Sequence, residues 1–223
     1  MPNNHIYTHE IKYLVFGKIT RDFVIPYKGK PVNDIPGGSA LYAAAGIAVW
    51  EKGIGIISQV GENYPLQELK ALDQYGIDIE GIRVHPGNMD LREFHSPNPP
   101  GKTRNDSPAG YYSRHDQNYP IGLIGYDDTD KQKSTLPFKN KQRLPLPDTY
   151  KEASAVHICA LPLSTLTFWS SALKKTIIKT TSIEPADDLI HKNQFHKLSS
   201  IIHGFTISII KENQLTKLQM TGK

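Results

Sequence analysis

The stretch "DIPGGSALYAAAGIAVW", Asp34 to Trp50, carries the reading of the fold. Gly37 and Gly38 follow Pro36 and lead straight into a run of alanines. Alanine is the strongest helix former and no proline interrupts the run, so a helix is predicted over 40–51 with Ser39 as its N-cap. Glycine lets another group come close to the backbone. The first turn of a helix also leaves N–H groups unpaired, which suits oxygen-rich or anionic ligands. Two readings stay open here: a tight turn, or a small molecule lying against bare main chain.

Outward from that stretch, strands and helices alternate. "YLVFG" (Tyr13–Gly17) reads as a buried strand ending in glycine. "FVIPY" (Phe23–Tyr27) reads as a second strand, placed at an edge by Pro26. "GIGIISQVG" (Gly53–Gly61) is the next strand. "PLQELKALDQYG" (Pro65–Gly76) is a helix with proline at its start and glycine at its stop. "IDIEGIRVH" follows as an extended segment, and "LREFHS" and "AGYYSRH" read as strands flanking the loop "SPNPPGKTRNDSPAG". Further on come a strand at Ser154–Leu161, a helix at Thr165–Lys175, a strand at Thr176–Pro185, a helix at Gln194–Gly204 and a strand at Phe205–Ile210. This order implies parallel pairing with helical crossovers. The expected fold is α/β: a mostly parallel sheet with helices on both faces in three layers. The insert after Gly17 adds a small antiparallel piece, a β lid drawn from about 18–36 and 88–116. No role is read for 117–150.

Composition narrows the partners. Hydrophobic residues make up 38% of the chain, enough for a core. No apolar run approaches the roughly 20 residues needed to span a bilayer. The start of the chain lacks a basic region followed by an apolar one, and there is a single cysteine, Cys159. A reducing, cytoplasmic setting is expected. The net charge is +4, but 26 basic residues stand against 22 acidic ones. The clusters at 131–133 and 139–143 lack interleaved aromatics, so solvated loop is preferred to nucleic-acid contact.

Other motifs are weak. The histidines do not pair at metal-ligand spacing, and His157 reads as a packed or edge residue of its strand. Cys159 reads as a buried structural thiol. "YDDTD" (Tyr126–Asp130) lacks the glycine and final glutamate of a calcium loop. Asn105 in "NDS" matches a glycosylation acceptor, without a secretory signal to give it meaning. There is no GxxxxGK[ST] phosphate loop. Trp50 and Trp169 are expected to pack on helix faces.

Gly17 ends the first strand and Asp22 follows in "GKITRD". A carboxylate there stands near the carboxyl end of a parallel strand, where open α/β sheets bind ligands, and can accept hydrogen bonds from paired hydroxyls. Taken together, "YLVFGKITRDFVI", "IPGGSALYAAAGIAVWEKGIGIISQVGEN" and "LKALDQYGIDIEGIRV" resemble the N-terminal half of the ribokinase-like, or PfkB, carbohydrate kinases. "AVHICALP" and "SIEP" resemble the ends of that family's next two strands.

The resemblance implies a single ribokinase-like α/β domain over 1–223, incomplete at its C-terminal side. It implies ATP- and Mg2+-dependent phosphoryl transfer to a hydroxyl of a sugar, nucleoside or related alcohol. Asp22 and the backbone of Gly37 and Gly38 would bind substrate hydroxyls. Tyr42 stands where the family often has asparagine. Lys211 and Gln214 in "IIKENQL" stand where the family has a metal-organising asparagine and glutamate, leaving Glu212 as a weak metal candidate. Glu184 replaces a common aspartate. The family's glycine-rich loop ending in the catalytic aspartate has no counterpart in these residues, so no catalytic residue is assigned. The chain by itself is expected to show almost no kinase activity. The alternative is a non-catalytic small-molecule binder, or a decayed or truncated remnant. Self-association through the lid or an exposed sheet edge is expected.

Overall fold

A computed structural model describes residues 10–96, 107–127, 146–162, 165–167, 173, 177–186, 195–212 and 214–215. The continuous apolar runs become the strands of one twisted sheet. β1 (Tyr13–Phe16), β4 (Ile54–Gly61), β5 (Ile77–Asp78), β8 (Ala155–Ile158), β9 (Thr180–Ile183) and β10 (Ile207–Ser208) lie in the order β10-β9-β8-β1-β4-β5. β6 (Ile82–His85) also pairs with β4, and every pairing in this sheet is parallel. The expected mostly parallel α/β sheet is therefore observed.

Successive strand residues point to opposite faces. In β1, Leu14 and Phe16 join a core with Ile57, Val156, Ile158, Ile183 and Ile201. Val15 joins the other core, with Ala40, Leu41, Ala44, Ile54 and Ile56. Helix α1 (Ser39–Ala48) covers that second face through its small residues. Both faces of β1 and β4 are buried, which explains why their sequences are apolar without alternation.

A second sheet of three strands stands off the first. It holds β2 (Thr20–Val24), β3 (Val32–Gly37) and β7 (Arg92–His95), in the order β3-β2-β7. β2 and β3 are antiparallel, whereas β2 and β7 are parallel. One face is apolar: Phe23, Ile25 and Phe94 pack with Tyr112 and Leu123. Tyr112 belongs to helix α2 (Pro108–Arg114), and its hydroxyl donates to Asn33 Oδ1. The opposite parity of β2 and β7 is left for polar groups.

Several expectations are corrected. The second strand begins at Thr20, before the apolar residues, so that Asp22 lies inside it. "AGYYSRH" forms a helix rather than a strand, because Pro108 sits in its first turn and Tyr112 is needed over the lid sheet. The N-cap of α1 is Gly38 and not Ser39, whose Oγ instead accepts from Lys18 N at 3.2 Å. α1 ends at Ala48, so Trp50 lies beyond it and is 85% exposed. Residues 66–75 form a 3-10 helix closed by Gly76 in the left-handed region (φ 73°). Helix α3 (Phe195–Ile202) matches the predicted helix at 194–204, while the last strand shrinks to β10. The predicted helix at 165–175, Trp169, Asn105 and the basic clusters at 131–143 fall wholly or largely outside the described residues.

Candidate functional site

Asp22 sits in the middle of β2 with none of its surface exposed. Its Oδ1 accepts from Thr20 Oγ1 at 2.6 Å, and its Oδ2 accepts from Tyr42 Oη at 2.7 Å. His95 Nε2 lies 3.5 Å from Oδ2 and 3.7 Å from Glu93 Oε2. Burial pushes the Asp22 carboxyl up, but hydrogen bonds from His95, Thr20 and Tyr42 outweigh it and hold the group below the usual carboxylate range. Asp22 is thus a buried carboxylate that stays ionised. Burial and the bond to Asp22 push the Tyr42 phenol up to about 12, so Tyr42 remains a neutral donor.

The structure brings Asp22, Gly37 and Tyr42 into one cluster. A Cβ on Gly37 would lie 2.0 Å from Asp22 Oδ2 and 2.2 Å from its Cγ. Glycine at 37 is therefore required by Asp22 itself. Gly38 has φ 98°, and a Cβ there would lie 2.5 Å from the Lys18 carbonyl oxygen. So the bare backbone at the mouth of α1 is packed by the chain's own groups, and Tyr42 and His95 cover the carboxylate. Tyr42 is 58% exposed even though its hydroxyl reaches inward to Asp22.

Arg21 fixes this arrangement from behind. Its Nε donates to Asp34 Oδ1 at 2.7 Å, and its other nitrogens donate to Glu68 Oε2 and the Asp34 carbonyl, both at 2.8 Å. One guanidinium thereby ties β2 to β3 and to the 3-10 helix.

Sequence reasoning missed Glu93 and His95. The signal was present: in "REFH" apolar Phe94 stands between Glu93 and His95, so those two polar residues share one strand face. Pairing with β2, which places them beside Asp22, is a tertiary fact.

At the carboxyl ends of β9 and β10, Lys211 Nζ pairs with Glu184 Oε1 at 3.2 Å. Buried Gln214 accepts from Lys211 N and donates to the Pro185 carbonyl. Magnesium asks for an octahedron of oxygen ligands. Here an ammonium already lies against the nearest carboxylate, so these residues do not fit Mg2+. Glu212, the sequence candidate, is exposed and belongs to no group of three potential ligands among the described residues. His157 is half-buried with its ring against Ser182 Oγ at 2.9 Å, and Cys159 is buried, which pushes its thiol up to about 12. Both fit the packed roles expected of them.

The fold is that of the ribokinase-like α/β kinases, as the resemblance implied. Ribokinase from Cryptococcus neoformans var. grubii, solved with ADP, superimposes with a TM-score of 0.60 at 11% identity, over 96% of this chain and 61% of that one. The nucleoside kinase of Burkholderia thailandensis, solved with inosine, gives 0.59 at 12% identity, over 95% and 64%. Among curated proteins, a cytidine kinase of Thermococcus kodakarensis is 22% identical over 213 residues, covering 94% of this chain and 64% of that protein. The chain therefore spans less than two thirds of the length of these relatives. No protein-family profile matches it. No described helix is long and apolar enough to cross a membrane.

Proposed function

We propose that the chain carries the acceptor-binding part of a kinase that moves a phosphoryl group from ATP to a hydroxyl of a sugar, nucleoside or related alcohol. The observation behind this reading is Asp22: a buried, ionised carboxylate on a lid strand, pressed on Gly37 at the mouth of α1. Such a group accepts two hydroxyls at once, as a vicinal diol offers. Tyr42 and His95 are the groups a diol would displace, with the Tyr42 ring turning outward. The relatives whose names specify cytidine and inosine support a ribose-bearing acceptor.

To these residues the reading gives acceptor binding and water exclusion by the lid. No residue of this chain is given a role toward ATP or Mg2+, and the Glu184 carboxylate pairs with Lys211. The alternative, a binder without turnover, shares the same site. The test is calorimetric titration with ribose, other sugars and nucleosides. Asp22→Ala should weaken binding by about 1.5–3 kcal/mol, the worth of hydrogen bonds to a charged group. Equal affinity in mutant and parent would remove the site. ADP release from the chain with ATP, magnesium and that panel should stay at background; robust turnover would refute the alternative and mislocate the chemistry.

A further inference from the structure

We propose that Asp22, Glu93 and His95 form a binding site for a divalent cation of the zinc class between two paired lid strands. Asp22 and Glu93 are register partners in the parallel β2–β7 ladder, and His95 follows two residues on. Parity puts all three on one face. Their ligand atoms all lie within 4.8 Å of one another. Two edges of that triangle are 3.5 Å and 3.7 Å. With bonds of zinc length, tetrahedral ligands sit about 3.3–3.4 Å apart, so the two edges to His95 need only a few tenths of an ångström of contraction, and the Asp22–Glu93 edge, within 4.8 Å, closes by small side-chain rotations.

Charge points the same way. Asp22 is wholly buried, and Glu93 stands beside it as its register partner. Among the described residues the one basic group in ion-pair range of either is His95. Two neighbouring carboxyl side chains, one of them buried, repel each other when both are charged, and a cation between them relieves that repulsion. A divalent ion supplies that positive charge and uses neutral imidazole as a ligand. One nitrogen with two carboxylate oxygens suits Zn2+ or Co2+ over Mg2+ or Ca2+. Outside the triad, Thr20 Oγ1 and Tyr42 Oη hold the Asp22 carboxylate by hydrogen bonds, as outer groups commonly orient a metal ligand. The cation would take the carboxylate that the proposed function gives to hydroxyls, so the two compete; binding of the cation itself does not depend on that function.

The experiment is titration of the metal-free 223-residue chain with ZnCl2 by calorimetry near neutral pH, and with Co2+ followed by its visible spectrum. One equivalent of Zn2+ should bind in the micromolar range, and Co2+ should develop the intense bands of a low-symmetry four-coordinate ion. His95→Gln and Glu93→Gln, both at partly exposed positions, should each lower affinity by at least about tenfold. His115→Gln, on α2's C-cap, should change nothing. Circular dichroism establishes that the variants are folded. Absence of saturable binding below millimolar metal would overturn the proposal. So would binding unchanged in both the His95 and Glu93 variants, which would leave a plain histidine–carboxylate ion cluster. Saturable Zn2+ binding in a chain that binds no polyol would leave this proposal standing and remove the acceptor reading; polyol binding without Zn2+ binding would do the reverse.

Discussion

Gly37→Ala should disrupt the site through a single methyl group. The added carbon would lie 2.0 Å from Asp22 Oδ2, whereas ordinary contact starts at 3.4 Å. The carboxylate must retreat by that difference, and its bonds to Thr20 (2.6 Å) and Tyr42 (2.7 Å) cannot both survive. A hydrogen bond to a charged group contributes about 1.5–3 kcal/mol. The backbone at Gly37 lies outside the positive-φ region, so alanine there is not strained and reduces chain entropy in the unfolded state by about 0.4–1 kcal/mol. With one of those bonds lost, the balance is a net loss of about 0.5–2.6 kcal/mol, drawn from those two terms. The decisive form is a double-mutant cycle. In an Asp22→Ala background the obstruction is gone, so Gly37→Ala should be neutral or slightly stabilising, leaving a coupling of about 1.5–3 kcal/mol. Urea denaturation followed by circular dichroism gives all four stabilities. If Gly37→Ala costs as much without Asp22 as with it, then glycine at 37 has another cause.

Other outcomes follow from titratable and hydrogen-bonded side chains within the fold. His157 is half-buried, and desolvation holds its pKa below the usual value. Its folded pKa is depressed, so the stability it supports is complete above about pH 6.5 and falls as pH drops toward the folded value; His157→Gln should flatten that fall in thermal melts between pH 7 and 5. The depressed Asp22 pKa acts lower: its contribution is present above the ordinary aspartate range and is lost as pH falls through the folded value, so Asp22→Asn should remove part of the acid loss below about pH 4. Tyr150 Oη meets Asp78 Oδ1 at 2.9 Å and the Asp78 carbonyl at 3.2 Å, and accepts from Gly81 N at 3.2 Å. Tyr150→Phe should lower stability by about 1–3 kcal/mol in urea denaturation, because it leaves buried partners unmatched.

The legible parts of the sequence were those where one physical demand acts. β1 and β4 are buried on both faces and read as unbroken apolar runs. Pro65 and Gly76 bracket their helix because each suits one end of it. The lid was harder, since its strands answer to two demands at once. β2 begins in Thr20-Arg21-Asp22, where Arg21 ties strands together and Asp22 stays buried, so polarity there reads as a turn. Tyr111 and Tyr112 favour a strand by propensity, yet packing over Phe94 makes them helical. Asp22, Gly37, Gly38 and Tyr42 were found by spacing and resemblance, and three of them meet at one carboxylate. Gly37 was assigned to make room for a ligand; the room it makes is filled by Asp22. Glu93 and His95 stayed hidden because a strand's register with a distant partner leaves no local mark.

The central claim is that the Asp22 carboxylate receives the hydroxyls of a ribose-bearing ligand. Nuclear magnetic resonance of the carboxyl carbon of Asp22 in isotope-labelled protein tests it directly. During titration with cytidine or inosine, the Asp22 signal should move and saturate together with the signal of the Tyr42 ring as the phenol gives up its bond. A ligand that saturates the protein while the Asp22 resonance stays still would contradict the account.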